Sequence, residues 1–393
     1  MTDRTHIVVI GGGYAGVMAA NHLRTRSDVD ITLVNARPQF VERIRLHQLL
    51  TGSDDAVVDF RDILGDGVRL VVDTAERIDA RERTVALASG TTLRYDYLVY
   101  ALGSTGGAMT VPGAAAHAHP IAEYEHAERL RAALDATHPG SPVTVVGAGP
   151  TGIETAAELA EEGRAVTMVC GSVLGPYFST PARRSTARRL RTLGVTVIDG
   201  PGATVTEVTP RSVVLADGRE LSSVVTIWSA GFAVPDLAVR SGLRTDGIGR
   251  LLTDETLTSL DDPRIIAAGD AAAPSDLPLR MSCQAAIPLG AQAANTILSR
   301  LAGEEPAAIN QAFTGQCVSL GRRAGVIQLS HTDDAVLPLF IGGRAAATVK
   351  EAVCKGTISF LAKEARKPGS YFWLKGGKRS RRLAEARAQV RAE

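Results

Sequence analysis

Short apolar runs recur along the chain, each followed by a glycine turn and then by apolar positions at helical spacing. Residues 6–35 read HIVVI, GVMAANHLR and VDITLVN, which predicts strand, helix, strand. The order repeats over 141–170 as SPVTVV, IETAAELAEEG and AVTMVC. Between them, VRLVV, RTVALASG and TLRYDYLVYALGS predict the rest of the first unit and a small meander, and a polar helix is expected over 121–136. VTVIDG, SVVLADG and VVTIWSAG continue the second unit, while RIIAAGD at 264–270 has the character of a last strand returning to the first sheet. Beyond 306 the pattern predicts short strands, a helix near 349–366 and a basic tail.

The turns between these strands and helices carry the chemistry. GGGYAG runs from Gly11 to Gly16 and GAGPTG from Gly147 to Gly152. In each, the first glycine (Gly11, Gly147) permits the tight turn. The second (Gly13, Gly149) lets backbone approach a pyrophosphate, and the third (Gly16, Gly152) allows close helix–sheet packing. Free N–H groups at the helix start then favour phosphate. The chain therefore reads as α/β, with two Rossmann-like dinucleotide-binding domains and a smaller carboxyl-terminal α+β domain. The expected boundaries are 1–117 with 236–305, then 118–235, then 306–393.

An acid usually ends the second strand of such a unit and takes the ribose hydroxyls. Here Asn35 stands there in the first unit, and Val169-Cys170-Gly171-Ser172 in the second. Asn35 still offers hydrogen bonds, without charge. Arg183 and Arg184 read equally as donors for a 2′-phosphate or as a solvated helix face, so the choice of NADH or NADPH stays open.

Composition narrows the picture. The chain has 393 residues, with 45% hydrophobic and 22% charged, which describes a folded globular protein of more than one core. A net charge of +1 gives no reason to expect a nucleic-acid partner. The early first strand leaves no room for a signal peptide and no apolar run spans a bilayer, so a cytoplasmic location is expected. Cys170, Cys283, Cys317 and Cys354 form neither a C-x-x-C motif nor a zinc-ligand cluster, and no metal is expected.

GGGYAG, YDYLVYALGS at 95–104, VVGAGPTGIETAAELAE at 145–161, IWSAGF at 227–232 and IIAAGDAA at 265–272 occur in one order. In these pieces the chain resembles the FAD-dependent pyridine nucleotide oxidoreductases, and within them the type II NADH:quinone oxidoreductases and apoptosis-inducing-factor-like flavoproteins. The resemblance implies FAD at Gly11, Gly13, Gly16 and Gly269-Asp270, and NADH or NADPH at Gly147, Gly149 and Gly152, with Glu154 near the nicotinamide ring. It also implies that the helix in MSCQAAIPLGAQAA, from Met281, points its amino end at the flavin, with Gln284 touching the ring or substrate. Read from the residues alone, the competing readings are a helix cap for Asp270, which is compatible with binding, a solvated first-turn acid for Glu154 and a surface-facing or core-packed glutamine for Gln284.

One departure from the superfamily is informative. Disulfide reductases carry a redox cysteine pair shortly after the second strand, where this chain reads RPQFVERIRLHQLL from Arg37 to Leu50 without cysteine. Electrons are then expected to leave toward a quinone-like acceptor. Arg43, Arg45 and His47 lie two apart, sharing an extended face or spreading around a helix, with Arg43 and His47 the candidates for acceptor chemistry. A local ion-pair cluster with Glu42 is the competing reading. In the tail, Tyr371 to Lys375 and Lys378 to Arg382 suit either a packed aromatic cluster or a transient contact at the inner face of a membrane. The expectation is an FAD-dependent NAD(P)H dehydrogenase using a quinone-like acceptor. Its open alternatives are a ferredoxin-type reductase, a specialised small-molecule flavin oxidoreductase and a redox sensor that dimerises.

Overall fold

The computed structural model describes residues 4–390, without the side chains of 387, 389 and 390. The end of the basic tail, 391–393, lies outside the described residues.

The first sheet is parallel and five-stranded, in the spatial order Ile265–Ala267, Tyr97–Tyr100, Thr5–Ile10, Val29–Asn35, Val68–Val72. Its strands are nearly continuous apolar runs because both faces are covered. Helices Tyr14–Leu23 and Cys283–Leu301 cover one face, forming a core with Leu33, Phe40 and Ile266. The two helices touch closely: a Cβ on Gly290 would lie 2.2 Å from the Ala15 carbonyl oxygen. On the other face, the antiparallel meander Ala75–Asp79, Thr84–Leu87, Thr92–Arg94 packs against Val8, Ile10 and Tyr100.

The second sheet repeats this plan, in the order Ala118–Pro120, Val225–Trp228, Pro142–Val146, Ala165–Val169, Thr196–Ile198, again parallel. Helices Tyr124–Asp135, Pro150–Glu161 and Thr180–Thr192 enclose one core, and the meander Val205–Val208, Ser212–Leu215, Glu220–Ser222 encloses another. Thr105–Gly106 pairs antiparallel with Phe232–Ala233, a two-stranded link between the sheets.

The carboxyl-terminal region bridges both cores. Its antiparallel sheet, Gly315–Ser319, Gly325–Ser330, Val336–Gly342, contributes Val318 and Val326 to the second core, while Phe313 and Leu361 join the first. The long helix runs Gly343–Arg366, starting six residues before the expected 349. Arg344, Ala345 and Ala346 extend it from Gly343, whose φ of +73° suits the entry from the preceding strand. Its far end is pinned by a buried pair, His22 Nδ1 to Glu364 Oε1 at 2.7 Å. Glu364 also accepts from the Gly369 and Tyr371 N–H groups, at 2.6 and 2.7 Å.

The aromatic tail divides by alternation. Tyr371 and Trp373 stack on each other and pack against the first core, leaving Phe372 and Leu374 exposed. Among its cations, Arg379 is buried against Glu255 at 2.9 Å and Lys378 pairs with Asp333 at 3.4 Å, so both are partly neutralised. Among the described residues no helix is long and apolar enough to cross a membrane.

Candidate active site

Both glycine turns have the shape of a phosphate cradle. A Cβ on Gly11 would lie 2.3 Å from the Ala101 carbonyl oxygen, and one on Gly147 would lie 2.5 Å from Ser229 Oγ. At the third positions a Cβ would strike the turn itself: on Gly16, 1.8 Å from the Gly11 oxygen, and on Gly152, 2.1 Å from the Gly147 oxygen. The middle glycines differ, since a Cβ on Gly13 or Gly149 meets nothing within 4 Å. Those two positions face open space, and each caps its helix without a side-chain hydrogen bond. Free N–H groups therefore point where a pyrophosphate would lie. The residues fit two dinucleotides.

At the first site, Asn35 is already engaged. Its Oδ1 accepts from the Gly12 N–H at 2.9 Å and its Nδ2 donates to the Arg37 carbonyl at 2.8 Å. The amide thus holds the glycine turn against the strand end. Asp270 follows strand Ile265–Ala267 in the short turn Gly269–Ala271, at the carboxyl end of the sheet where such folds bind ligands. Ser104 Oγ donates to Asp270 Oδ2 at 2.7 Å, and Arg43 Nη1 donates to the Ser104 carbonyl and hydroxyl at 2.7 and 2.9 Å. Asp270 Oδ1 makes no protein hydrogen bond among the described residues. Burial pulls the Arg43 guanidinium below its ordinary value, and the Asp270 charge opposes the shift.

Arg43, Arg45 and His47 share no face. A tight turn at Arg43–Arg45 leads into helix Leu46–Leu49, which aims the three side chains apart. Arg43 points to Ser104, while Arg45 forms the ion cluster anticipated with Glu42 (3.3 Å), enlarged by Asp54 (3.3 Å) and Glu351 (3.0 Å). His47 turns into a buried seam between the second domain and the carboxyl-terminal region.

That seam holds a polar cluster. Glu154, from the helix after the second glycine turn, is 5% exposed, too buried for a solvated first-turn acid. Its Oε1 accepts from Lys350 Nζ and from the Ser319 N–H, both at 3.0 Å. His47 Nδ1 lies 3.7 Å from Glu154 Oε2, and Ser319 Oγ sits 3.3 Å from His47 Nε2. Burial alone would raise Glu154, but Lys350 and the Ser319 N–H hold it below the usual carboxylate range. Burial would likewise pull Lys350 down, and Glu154 instead holds it above the usual lysine range. The pair is ionised at neutral pH. Burial pushes His47 down to about 4 against the pull of Glu154, so its imidazole is neutral there.

Lys350 and Ser319 escaped the sequence reading. A signal existed: Ala346, Lys350, Cys354, Thr357, Leu361 and Glu364 are the buried stripe of one helix, and a lysine in such a stripe needs a partner. Gln284 binds locally, against Thr314 Oγ1 at 2.8 Å. It ties the start of helix Cys283–Leu301 to the carboxyl-terminal sheet. All four cysteines are free, and burial raises each thiol.

His47 sets a stability window. Its folded value of about 4 lies below the ordinary 6.5, so between these values the unfolded chain binds a proton that the folded chain refuses. Stability is full above about pH 6.5 and should fall by about 3 kcal/mol toward pH 4. His47→Gln should flatten that fall in urea unfolding at pH 7 and 4.5. Equal pH slopes in the two proteins would contradict this assignment.

Two parallel sheets with paired phosphate cradles define a flavoprotein-type, two-dinucleotide oxidoreductase. The family model for pyridine nucleotide-disulphide oxidoreductases matches residues 5–294, and the chain belongs to this family. Membership implies an FAD-binding oxidoreductase that uses NAD(P)H, here of the non-disulfide kind. The chain is 30% identical over 379 residues to the NADH dehydrogenase-like protein Rv1812c of Mycobacterium tuberculosis, covering 89% of this chain and 93% of that one. It is 28% identical over 349 residues to the type II NADH:quinone oxidoreductase Ndh of the same organism, covering 77% and 74%. In fold it is similar to the sulfide:quinone oxidoreductase of Aquifex aeolicus, with a TM-score of 0.79 at 20% identity over 93% of both chains.

Proposed function

We propose that this chain is an FAD-dependent NAD(P)H dehydrogenase that passes electrons to a quinone-like acceptor. The observation that carries it is the buried Glu154–Lys350–Ser319–His47 cluster, built beside a segment where disulfide reductases keep their cysteines. FAD, when bound, supplies the two-electron chemistry between nicotinamide and acceptor. Gly11, Gly13, Gly16 and Asp270 would hold it, and Gly147, Gly149 and Gly152 would hold the nicotinamide dinucleotide. A quinone takes up two protons with its two electrons. Lys350 holds a proton in the seam, and Glu154 keeps that charge in place at neutral pH. Arg43 stands by Asp270 as a fixed cation, favouring negative charge at the same place. Exposed Phe372, Leu374 and Leu339 on the carboxyl-terminal region support transient contact with the membrane that holds such acceptors.

Separate half-reactions test the reading. Anaerobic mixing with NADH and NADPH should bleach the oxidised flavin band, and a soluble quinone should restore it. Failure of both dinucleotides would reject the dehydrogenase, and failure of quinone alone would reject the acceptor.

Asp270→Ala tests the flavin assignment. It removes the acceptor for Ser104 and one for the flavin, which should cost about 1–3 kcal/mol, or roughly 5- to 150-fold in affinity. Flavin absorbance after dialysis measures it, and undiminished retention in a folded variant would remove Asp270 from the site.

A further inference from the structure

The second dinucleotide site lacks the feature by which such sites reject a 2′-phosphate. Discrimination ordinarily comes from a carboxylate about 20 residues after the first glycine, which accepts the 2′-hydroxyl and repels a phosphate of about −1.5 to −2 charge in its place. In this chain strand Ala165–Val169 is followed by Cys170, a buried residue. Burial pushes its thiol up to about 12, so the position is neutral at working pH.

The surroundings leave space at this strand end. Gly171, at φ +67°, has nothing within 4 Å of where a Cβ would stand. Ser172 is exposed, with a hydroxyl free of protein hydrogen bonds among the described residues. The following loop is rigidly placed: the Gly175 N–H donates to the Ala148 carbonyl of the glycine turn at 3.1 Å, and the Ser179 N–H donates to Gln328 Oε1 at 2.8 Å. Arg183 is consumed in that loop, donating to the Leu174 and Phe178 carbonyls at 2.8 and 3.1 Å. Its Nε and Nη2 are thereby taken up by backbone oxygens. Arg184, exposed one position later, has no ion-pair partner among the described residues. The carboxylate whose field reaches Cys170 is Asp199, exposed just past the adjacent strand Thr196–Ile198.

From this geometry we infer that the second site accepts a 2′-phosphorylated adenosine, so that NADPH serves as well as NADH, with the strand end Cys170–Ser172 as the specificity-determining position. The inference rests on the dehydrogenase reading for its reaction, but the adenosine end can be tested without it.

Calorimetry on the flavin-loaded full chain would compare 2′,5′-ADP with ADP at fixed ionic strength, using Gly149→Val to show that both occupy the second site. The expected result is 2′,5′-ADP binding at least as tightly as ADP. Ser172→Asp, a change at an exposed position, should weaken 2′,5′-ADP about tenfold relative to ADP, and Cys170→Asp should act in the same direction if it folds. Wild-type binding of 2′,5′-ADP about tenfold or more weaker than ADP, or a ratio unmoved by Ser172→Asp, would overturn the inference. Rapid mixing separates the two failures. Preserved 2′,5′-ADP binding with no flavin reduction by either dinucleotide rejects the dehydrogenase alone, whereas reduction by NADH with 2′,5′-ADP excluded rejects only the present inference.

Discussion

Gly149→Val should yield a folded, flavin-loaded protein that neither NADH nor NADPH reduces. The fold should survive because a Cβ at Gly149 meets nothing within 4 Å, so the branched side chain enters open space instead of protein. That space is the approach of the second pyrophosphate to the start of helix Pro150–Glu161. Losing two charge-assisted backbone contacts there would cost about 3–6 kcal/mol, a fall in dinucleotide affinity of roughly 100-fold or more. Gly13→Val should mirror it, losing FAD and sparing the second site. Gly152→Val is the contrast: its Cβ would stand 2.1 Å from the Gly147 oxygen, so the domain should unfold. Anaerobic stopped-flow absorbance and flavin content distinguish these outcomes. Wild-type reduction of Gly149→Val would place the electron donor elsewhere.

Lys350→Met should be among the most destabilising single changes in the chain. Lys350 and Glu154 are both buried, 3.0 Å apart, and removal of one partner leaves a carboxylate without its compensating charge. Breaking such a pair costs about 3–5 kcal/mol, or roughly 6–20 °C in melting temperature for domains of this size. The double variant Lys350→Met, Glu154→Gln should recover much of the loss, since a neutral amide can still accept from the Ser319 N–H. Thermal unfolding followed by circular dichroism would measure all three proteins. A double variant no more stable than Lys350→Met would mean that packing, not charge, holds the seam. If the proposed function holds, the double variant should also reoxidise slowly with quinone while NAD(P)H reduction is less affected, because its proton-holding pair is gone.

The sequence by itself determined the parts of this protein that are local. A glycine turn joins a strand to a helix within a few residues, so Gly11–Gly16 and Gly147–Gly152 announce both phosphate cradles before any tertiary contact forms. The position of Asp270 just past an apolar strand was legible for the same reason. Hydrophobic runs likewise specify two parallel sheets, because strands covered on both faces must be apolar throughout.

Only the tertiary structure decided where the polar side chains meet. His47, Glu154, Ser319 and Lys350 come from four separate elements, and no local pattern couples residues so far apart in the chain. Two arginines two positions apart diverge because a tight turn at 43–45 precedes the helix, sending Arg43 to Ser104 and Arg45 to an ion cluster. Asn35 and Arg183, both readable as nucleotide ligands, are spent on backbone groups of neighbouring loops. Sequence specifies which hydrogen-bonding groups exist. The packed chain specifies which of them are already satisfied and which remain to bind a ligand, because desolvation strongly favours pairing a buried polar group with whatever partner the fold brings within reach.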